Sequence, residues 1–180
     1  MTGVQTCALP IYDSLLDRMG PYIDTVWITD DVATQTSLLV SPDTYRDLIK
    51  PYQRELLACI TSRGTEVVFH SCGLIEPLLD DLLEIGVTIT HPVQPIEGGM
   101  DLRDLKRRYG KELVFWGAGV DTELLQNGSA EQVADQIKER LDILAPGGGF
   151  VFSPTHCIQP RTPPENIIAM ADTLYEYGKY

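Results

Sequence analysis

The sequence predicts an α/β fold in which five β-strands alternate with helices. Short apolar runs rich in β-branched and aromatic residues recur along the chain, and a segment with helical periodicity and capping residues follows each run. Continuous apolar runs of this kind are typical of parallel strands that are buried on both faces. Because no hairpin turn separates the runs, we expect one parallel sheet covered by helices.

Composition limits the classes of protein to consider. The chain has 180 residues, of which 43% are hydrophobic and 22% are charged, as expected for a soluble globular protein. A formal net charge of −12 argues against non-specific nucleic-acid binding. No apolar run approaches the ~18 residues that a membrane span needs. The four cysteines have irregular spacing, which argues against a disulfide framework and favours a reduced, cytoplasmic setting.

The first eleven residues, MTGVQTCALPI, resemble a short-read sequencing adapter translated in frame. They lack the basic segment of a signal peptide, and a natural N-terminal arm is the alternative. We predict that residues 1–11 are an adapter-derived artefact of a metagenomic fragment and that native sequence begins at Tyr12 or Asp13. On this interpretation Cys7 has no functional role.

The predicted elements follow one another without a linker. The strands occupy residues 24–29, 66–69, 87–90, 112–116 and 150–153. The helices occupy residues 41–62, 75–85, 101–109, 130–144 and 164–178. A (β/α)₈ barrel usually needs about 250 residues, so five βα units are too few to close one. We therefore expect residues 12–180 to form the C-terminal five βα units of an N-terminally truncated (β/α)₈ barrel.

Polar residues gather just after the predicted strands. All three histidines of the chain, His70, His91 and His156, follow a strand. Asp30 and Asp31 follow the first strand in the same way. In barrels of this type the chemistry lies at the carboxyl ends of the strands, so these residues are candidates for a site.

His70-Ser71-Cys72 is the sharpest of these motifs. In an extended segment, residues two apart point to the same side, so an imidazole and a thiolate could reach one soft cation. A third ligand from another strand would leave a fourth position open, as catalytic zinc requires. Cys157, or its neighbour His156, is the candidate for that ligand. A buried apolar cysteine and a loop-bonding histidine are the alternative.

Five other residues have two interpretations each. Asp30 and Asp31 either orient a substrate or cap the loop that follows them. Gly117 and Gly119 either let a cofactor approach the backbone or simply make the turn. Gln159 either binds a ligand or holds its own loop.

Four segments together resemble the uroporphyrinogen decarboxylase superfamily across residues 12–180. They are DDVATQTSLLVSPDTYRDLIKPY at 30–52, FHSCG at 69–73, FWGAGVDT at 115–122 and GGGFVFSPTHCIQPRTPPENI at 147–167. The resemblance implies a (β/α)₈ barrel and an enzyme, and the superfamily contains at least two chemistries.

One branch of the superfamily contains zinc-dependent methyltransferases that move a methyl group between a corrinoid protein and a small-molecule thiol. Their ligands are an H-x-C motif and a later cysteine, and His70 and Cys72 match the first two. Counted from the PPEN segment at 163–166, His156 takes the position of the later cysteine, and Cys157 lies one residue away. Asp30 or Asp31 would help to shape the methyl-donor face, and a homodimer would suit the fold.

The other branch removes carboxylates from uroporphyrinogen-like tetrapyrroles without a metal or cofactor, and in it His156 would lie at the substrate. The H-S-C-G segment departs from the decarboxylase pattern, which favours the methyltransferase branch. A third hypothesis is that the chain as written is an inactive fragment, because five βα units leave two open sheet edges.

Overall fold

The computed structural model describes residues 3–95 and 100–179. The chain forms two compact units, one that ends at His91 and one that begins at Pro92. Each unit contains parallel strands followed by helices, which confirms the predicted α/β class. In the part of the chain that the structure describes, no helix is both long and apolar enough to cross a membrane.

The first unit has a three-stranded parallel sheet with β1 at Thr25–Thr29, β2 at Glu66–His70 and β3 at Ile89–His91. The paired residues at the carboxyl ends are Thr29 with His70 and His70 with His91. The side chains of residues paired in this way point to the same face of the sheet. The register therefore brings the ends of all three strands, with their polar residues, to one edge.

Four helices complete the first unit: α1 Gly3–Met19, α2 Pro42–Leu48, α3 Lys50–Thr61 and α4 Leu79–Glu84. Ser41 caps α2 as predicted, since its hydroxyl accepts a hydrogen bond from the Thr44 amide. The predicted single helix over 41–62 is wrong in one respect, because it breaks at Ile49. Pro51 has no N–H to donate to the preceding turn, which accounts for the break.

The first unit differs from the sequence prediction in two further respects. The helix predicted over 75–85 begins with a 3₁₀ turn at Glu76–Leu78, which contains Pro77, before α4. The N-terminal helix α1 includes most of residues 1–11, for which no secondary structure was predicted. The adapter origin of those residues stays a prediction.

The second unit has two parallel strands, β4 at Val114–Trp116 and β5 at Phe150–Val151. Its helices are α5 Leu102–Tyr109, α6 Thr122–Asn127, α7 Ala130–Leu144 and α8 Pro164–Tyr177. Helix α7 matches its predicted bounds because Ser129 and Gln132 form a reciprocal capping box at its start. The short helix α6 was not predicted.

Each unit has its own apolar core. In the first, Val67, Val68 and Phe69 of β2 are fully buried, as are Leu57 and Ile60 of α3. In the second, a cluster of buried aliphatic residues lies between the helices and the strand ends: Val120, Leu125, Val133, Ile137 and Leu141. These cores fix the strands whose carboxyl ends carry the polar residues.

Candidate metal centre

The loop after β2 is held in place by Ser71, which is fully buried. Its amide donates to the carbonyl of His91 over 2.9 Å, and its hydroxyl accepts from the amide of Val32 over 3.1 Å. Ser71 therefore joins the loop after β2 to the ends of β1 and β3. As a result, its neighbours His70 and Cys72 lie at the carboxyl ends of β1, β2 and β3, the edge that we call the rim.

Three potential ligand atoms converge at this rim. The carboxylate of Asp31, Nε2 of His70 and Sγ of Cys72 all lie within 4.8 Å of one another. Nε2 of His70 is 3.7 Å from Sγ of Cys72 and 4.0 Å from Oδ1 of Asp31. The same Asp31 oxygen accepts a hydrogen bond from the Cys72 amide over 2.9 Å. Strand geometry predicted that His70 and Cys72 lie together, whereas Asp31 was predicted either to orient a substrate or to cap its loop, and not to join the ligand cluster.

The donor set fits zinc. Zinc binds imidazole nitrogen, thiolate sulfur and carboxylate oxygen, and two such ligands on one tetrahedral ion lie about 3.5 Å apart. The 3.7 Å between His70 and Cys72 agrees with that spacing. Both side chains are partly buried, and Asp31 is exposed at the mouth of the cluster. His70 and Cys72 could therefore hold a cation that a small ligand reaches from solvent.

The charge of Asp31 also acts on Cys72. Burial, and after it the negative charge of Asp31, raises the pKa of the Cys72 thiol above its ordinary value. A cation that binds the thiolate must displace that proton, so the cation and the proton compete for the same sulfur.

His91 makes a contact that the sequence did not predict. Its Nδ1 lies 2.8 Å from Nδ1 of His70, and the two rings meet edge to edge, with centroids 5.0 Å apart and planes inclined by 30°. The Trp27 ring packs against His91 with centroids 4.6 Å apart. The sequence placed His91 on the rim but could not specify its partner, because the pairing depends on the β2–β3 register.

Asp30 has a different environment from Asp31. Its carboxylate accepts from Nε2 of Gln53 over 2.7 Å, and Oε1 of Gln53 accepts from the Tyr45 hydroxyl over 2.7 Å. Burial, and then the charges of Asp81 and Asp30, raise the pKa of Tyr45, so the hydroxyl remains a donor. Both aspartates are thus bonded to other elements of the unit: Asp30 to helix α3, and Asp31 to the loop after β2.

Three predicted site residues of the second unit, His156, Cys157 and Gln159, lie in the segment after β5. His156, whose amide donates to Oγ1 of Thr122 over 3.2 Å, and Cys157 both have exposed side chains. Nε2 of Gln159 donates to the carbonyl of Cys157 over 2.8 Å, so Gln159 bonds within its own loop. The ligand roles of His156 and Cys157 stay predictions.

The two glycines after β4 are packed against protein atoms. Gly117 has φ of +98°, and a Cβ there would lie 3.3 Å from Pro92. A Cβ on Gly119 would lie 2.4 Å from the Phe152 ring. Both positions need glycine for the path of the chain, and cofactor binding at either stays a prediction.

A charged network that sequence reasoning missed supports this part of the second unit. The Asp121 carboxylate accepts from Nε2 of Gln136 over 2.7 Å and from Nη2 of Arg140 over 3.1 Å. Thr155, which directly precedes His156, donates to the carbonyl of Val120 through its amide. Among the described residues, Nη1 of Arg140 is the buried side-chain nitrogen that has no hydrogen-bond partner.

Comparison with known proteins identifies a family and curated relatives. Residues 22–177 match the family model described as uroporphyrinogen decarboxylase (URO-D). Two curated relatives are named methylcobamide:CoM methyltransferase MtaA. One, from Methanosarcina barkeri, is 28% identical over 158 residues, and these cover 86% of this chain and 42% of the relative. The other, from Methanosarcina barkeri (strain Fusaro / DSM 804), is 26% identical over 159 residues with the same two coverages.

The chain thus spans less than half the length of the curated relatives it matches. A solved methyltransferase from Methanosarcina mazei superimposes with a TM-score of 0.70 at 23% identity, over 97% of this chain and 48% of that one. This likeness supports the predicted barrel-type βα architecture. The match to the family model covers most of the chain, and the chain belongs to the uroporphyrinogen decarboxylase (URO-D) family.

Proposed function

We propose that the protein containing this chain is a zinc-dependent methyltransferase that moves a methyl group from a corrinoid carried by a partner protein to a small-molecule thiol. The observation that carries the proposal is the convergence of the Asp31, His70 and Cys72 donor atoms within 4.8 Å. Relatives named methylcobamide:CoM methyltransferase support the same chemistry.

In this proposal His70 Nε2 and Cys72 Sγ bind the zinc, and His156 or Cys157 supplies a third ligand. The position that remains open accepts the substrate thiol. Bound zinc lowers the pKa of a coordinated thiol and so keeps the sulfur in its nucleophilic thiolate form. Asp31 is exposed beside His70 and Cys72, and its proposed role is to accept the thiol proton or to orient the entering substrate.

The transfer itself is a nucleophilic displacement. When bound, a methylated corrinoid would supply the methyl group: an S–C bond to the acceptor sulfur would replace the Co–C bond, and the electron pair of that bond would stay on cobalt. The residues of this chain contribute by holding the acceptor sulfur still and by admitting the methyl donor from one side.

Other residues are proposed to lie on the donor face, the side from which the methyl donor approaches. Asp30, fixed by Gln53, helps to shape that face, and Gly117, Gly119 and Gln159 are proposed to contact the methyl donor. The corrinoid comes with its partner protein, and we also propose a homodimer in the cytoplasm.

The test is a zinc measurement on the purified protein, made with zinc supplied, and on single variants. We expect about one zinc per chain, as for a single catalytic site, and its loss in Cys72→Ala. Cys59→Ala is the matched control, because Cys59 is also a partly buried free thiol but lies on α3 beside Asp13 and Arg63. It should keep its zinc.

The third ligand is tested in the same way. Of His156→Ala and Cys157→Ala, the variant that weakens zinc binding identifies it. If protein with intact His70 and Cys72 binds no zinc, the methyltransferase proposal fails. The family's metal-free decarboxylation of tetrapyrrole carboxylates then becomes the hypothesis to test, with porphyrinogen turnover as the assay.

A further inference from the structure

The His70 ring contacts Cys72 through one nitrogen and His91 through the other. His70 presents Nε2 to Cys72, at 3.7 Å from Sγ, and presents Nδ1 to His91, at 2.8 Å from its Nδ1. The two nitrogens of the His70 ring therefore serve different partners. One lies in the ligand cluster, and the other lies in a ring–ring hydrogen bond behind it.

A hydrogen bond between two ring nitrogens needs one donor and one acceptor. A cation bound at Nε2 of His70 uses the lone pair of that atom, so the proton of the neutral ring lies on Nδ1. His70 must then donate from Nδ1, and His91 must accept with an unprotonated Nδ1. The 2.8 Å between the two nitrogens is a hydrogen-bond distance, so only one of them carries the proton, and a cation on Nε2 of His70 assigns it to His70.

We propose that His91 is a positioning residue of the metal centre, which accepts the Nδ1 proton of His70 and so keeps Nε2 of His70 aimed at the cation. The inference rests on the proposed zinc site and adds to it a residue outside the Asp31, His70 and Cys72 cluster. Outer partners of this kind usually fix both the tautomer and the ring orientation of a ligating histidine.

His91 is itself well fixed. Its backbone pairs with His70 across β2 and β3, and its carbonyl accepts the Ser71 amide over 2.9 Å. The Trp27 ring lies against its imidazole at 4.6 Å between centroids and also faces His70 at 6.1 Å. The acceptor nitrogen is therefore held by the sheet on one side and by an aromatic ring on the other.

The test compares the affinity for Zn²⁺ alone in wild type, His91→Phe and His91→Gln, measured by competition with a chelator. Phenylalanine keeps the ring against Trp27 but has no acceptor, and glutamine restores an acceptor oxygen. We expect zinc affinity to fall about 10- to 100-fold in His91→Phe, and glutamine to recover most of that loss. If His91 acted only through the packing of its ring, zinc affinity would depend on the presence of a ring, and His91→Gln would lose more affinity than His91→Phe.

A second experiment uses the wild-type protein alone, so its outcome does not depend on whether a variant folds. In the zinc-loaded protein, the imidazole ¹⁵N shifts should show a protonated Nδ1 on His70 and an unprotonated Nδ1 on His91. A protonated Nδ1 on His91, or unchanged zinc affinity in His91→Phe, would overturn the proposal for His91 and leave the zinc site standing. Absence of zinc from wild type would overturn both.

Discussion

The backbone amide of Cys72 donates a hydrogen bond to the side chain of Asp31 over 2.9 Å. This contact joins the loop after β1 to the loop after β2, and it orients the carboxylate toward Nε2 of His70 at 4.0 Å. A backbone hydrogen bond therefore holds the acidic group beside His70.

The first prediction separates the charge of Asp31 from its hydrogen bond. Asparagine keeps an oxygen for the Cys72 amide but has no charge, so Asp31→Asn should weaken zinc binding by about tenfold or more while stability changes little. Asp30→Asn is the control, because Asp30 is the adjacent exposed carboxylate and bonds to Gln53 instead. Chelator competition on both variants makes the comparison, and equal losses would contradict a specific role for Asp31.

The second prediction concerns Gly73, which follows the H-x-C segment with φ of +88°. A Cβ at this position would lie 2.2 Å from the backbone oxygen of Thr34, so the loop must move. Gly73→Ala should lower the free energy of unfolding by about 3 kcal/mol or more and should weaken zinc binding.

Gly64→Ala is its matched control. Gly64 has φ of +76° but nothing within 4 Å of an added Cβ, so only the left-handed strain of about 1–2 kcal/mol applies. Urea unfolding of the two variants gives the difference. Similar losses would mean that the loop yields easily and that the contact with Thr34 is unimportant.

The third prediction is that Tyr45→Phe destabilises the first unit. Gln53 is buried, with 5% of its surface exposed, and its Oε1 accepts from the Tyr45 hydroxyl over 2.7 Å. Without that donor the amide oxygen is left unsatisfied, at a cost of about 1–3 kcal/mol. Tyr22→Phe, at a tyrosine that is 82% exposed, should change the urea midpoint very little. A similar effect in both variants would rule out the buried bond as the cause.

The fourth prediction concerns acid stability. Burial raises the pKa of Asp81, but the hydrogen bonds and charges of Arg46 and Lys50 lower it by more, so the net pKa is below the ordinary value. The unfolded chain then binds the proton at a higher pH than the folded chain. The stabilisation is present above about pH 4 and is lost as the pH falls through the lower, folded-state pKa.

Asp81→Asn should therefore flatten the dependence of unfolding free energy on pH below about pH 4. At neutral pH it should cost about 3 kcal/mol, because Lys50, with 8% of its side chain exposed, loses its buried partner. Asp43→Asn is the control, since that carboxylate is 91% exposed. Urea titrations at several pH values test both variants, and parallel pH curves for wild type and Asp81→Asn would contradict the assignment.

The fifth prediction concerns Arg140, whose side chain is 10% exposed and whose Nη1 lacks a partner among the described residues. Asp121→Asn leaves this guanidinium without its counter-charge and should cost about 3 kcal/mol or more. Adding Arg140→Met should recover much of the loss, because it removes the buried charge. Asp135→Asn, in an exposed pair with Lys138, is the control and should be nearly neutral. Additive effects of the Asp121 and Arg140 substitutions would contradict the coupling.

Much of the fold could be predicted because its signals are local. The apolar runs gave all five strands, and helix α7 was predicted from end to end since Ser129 and Gln132 mark its start. The break at Ile49 and the short helix α6 were missed. Pro51 lies near the start of α3, and α6 has only six residues. Such features have weak local sequence signals, and tertiary packing decides whether they form.

The candidate site was predictable only within one segment. His70 and Cys72 are two residues apart, so strand geometry alone places them together. The positions of Asp31 and His91 beside them depend on strand register and on the backbone bonds of Ser71 and Cys72. Those contacts join residues that are far apart in the sequence, so no local sequence pattern predicts them.

The pairing of His70 with His91 has a consequence for folding. Side chains alternate between the faces of a strand, so a shift of β3 by a single residue against β2 would turn the His91 imidazole to the opposite face. The ring behind His70 would then be lost, although both strands could remain hydrogen-bonded. If His91 supports the metal site as we propose, zinc affinity becomes a gauge of correct strand alignment and can separate properly folded protein from misregistered protein of the same secondary structure.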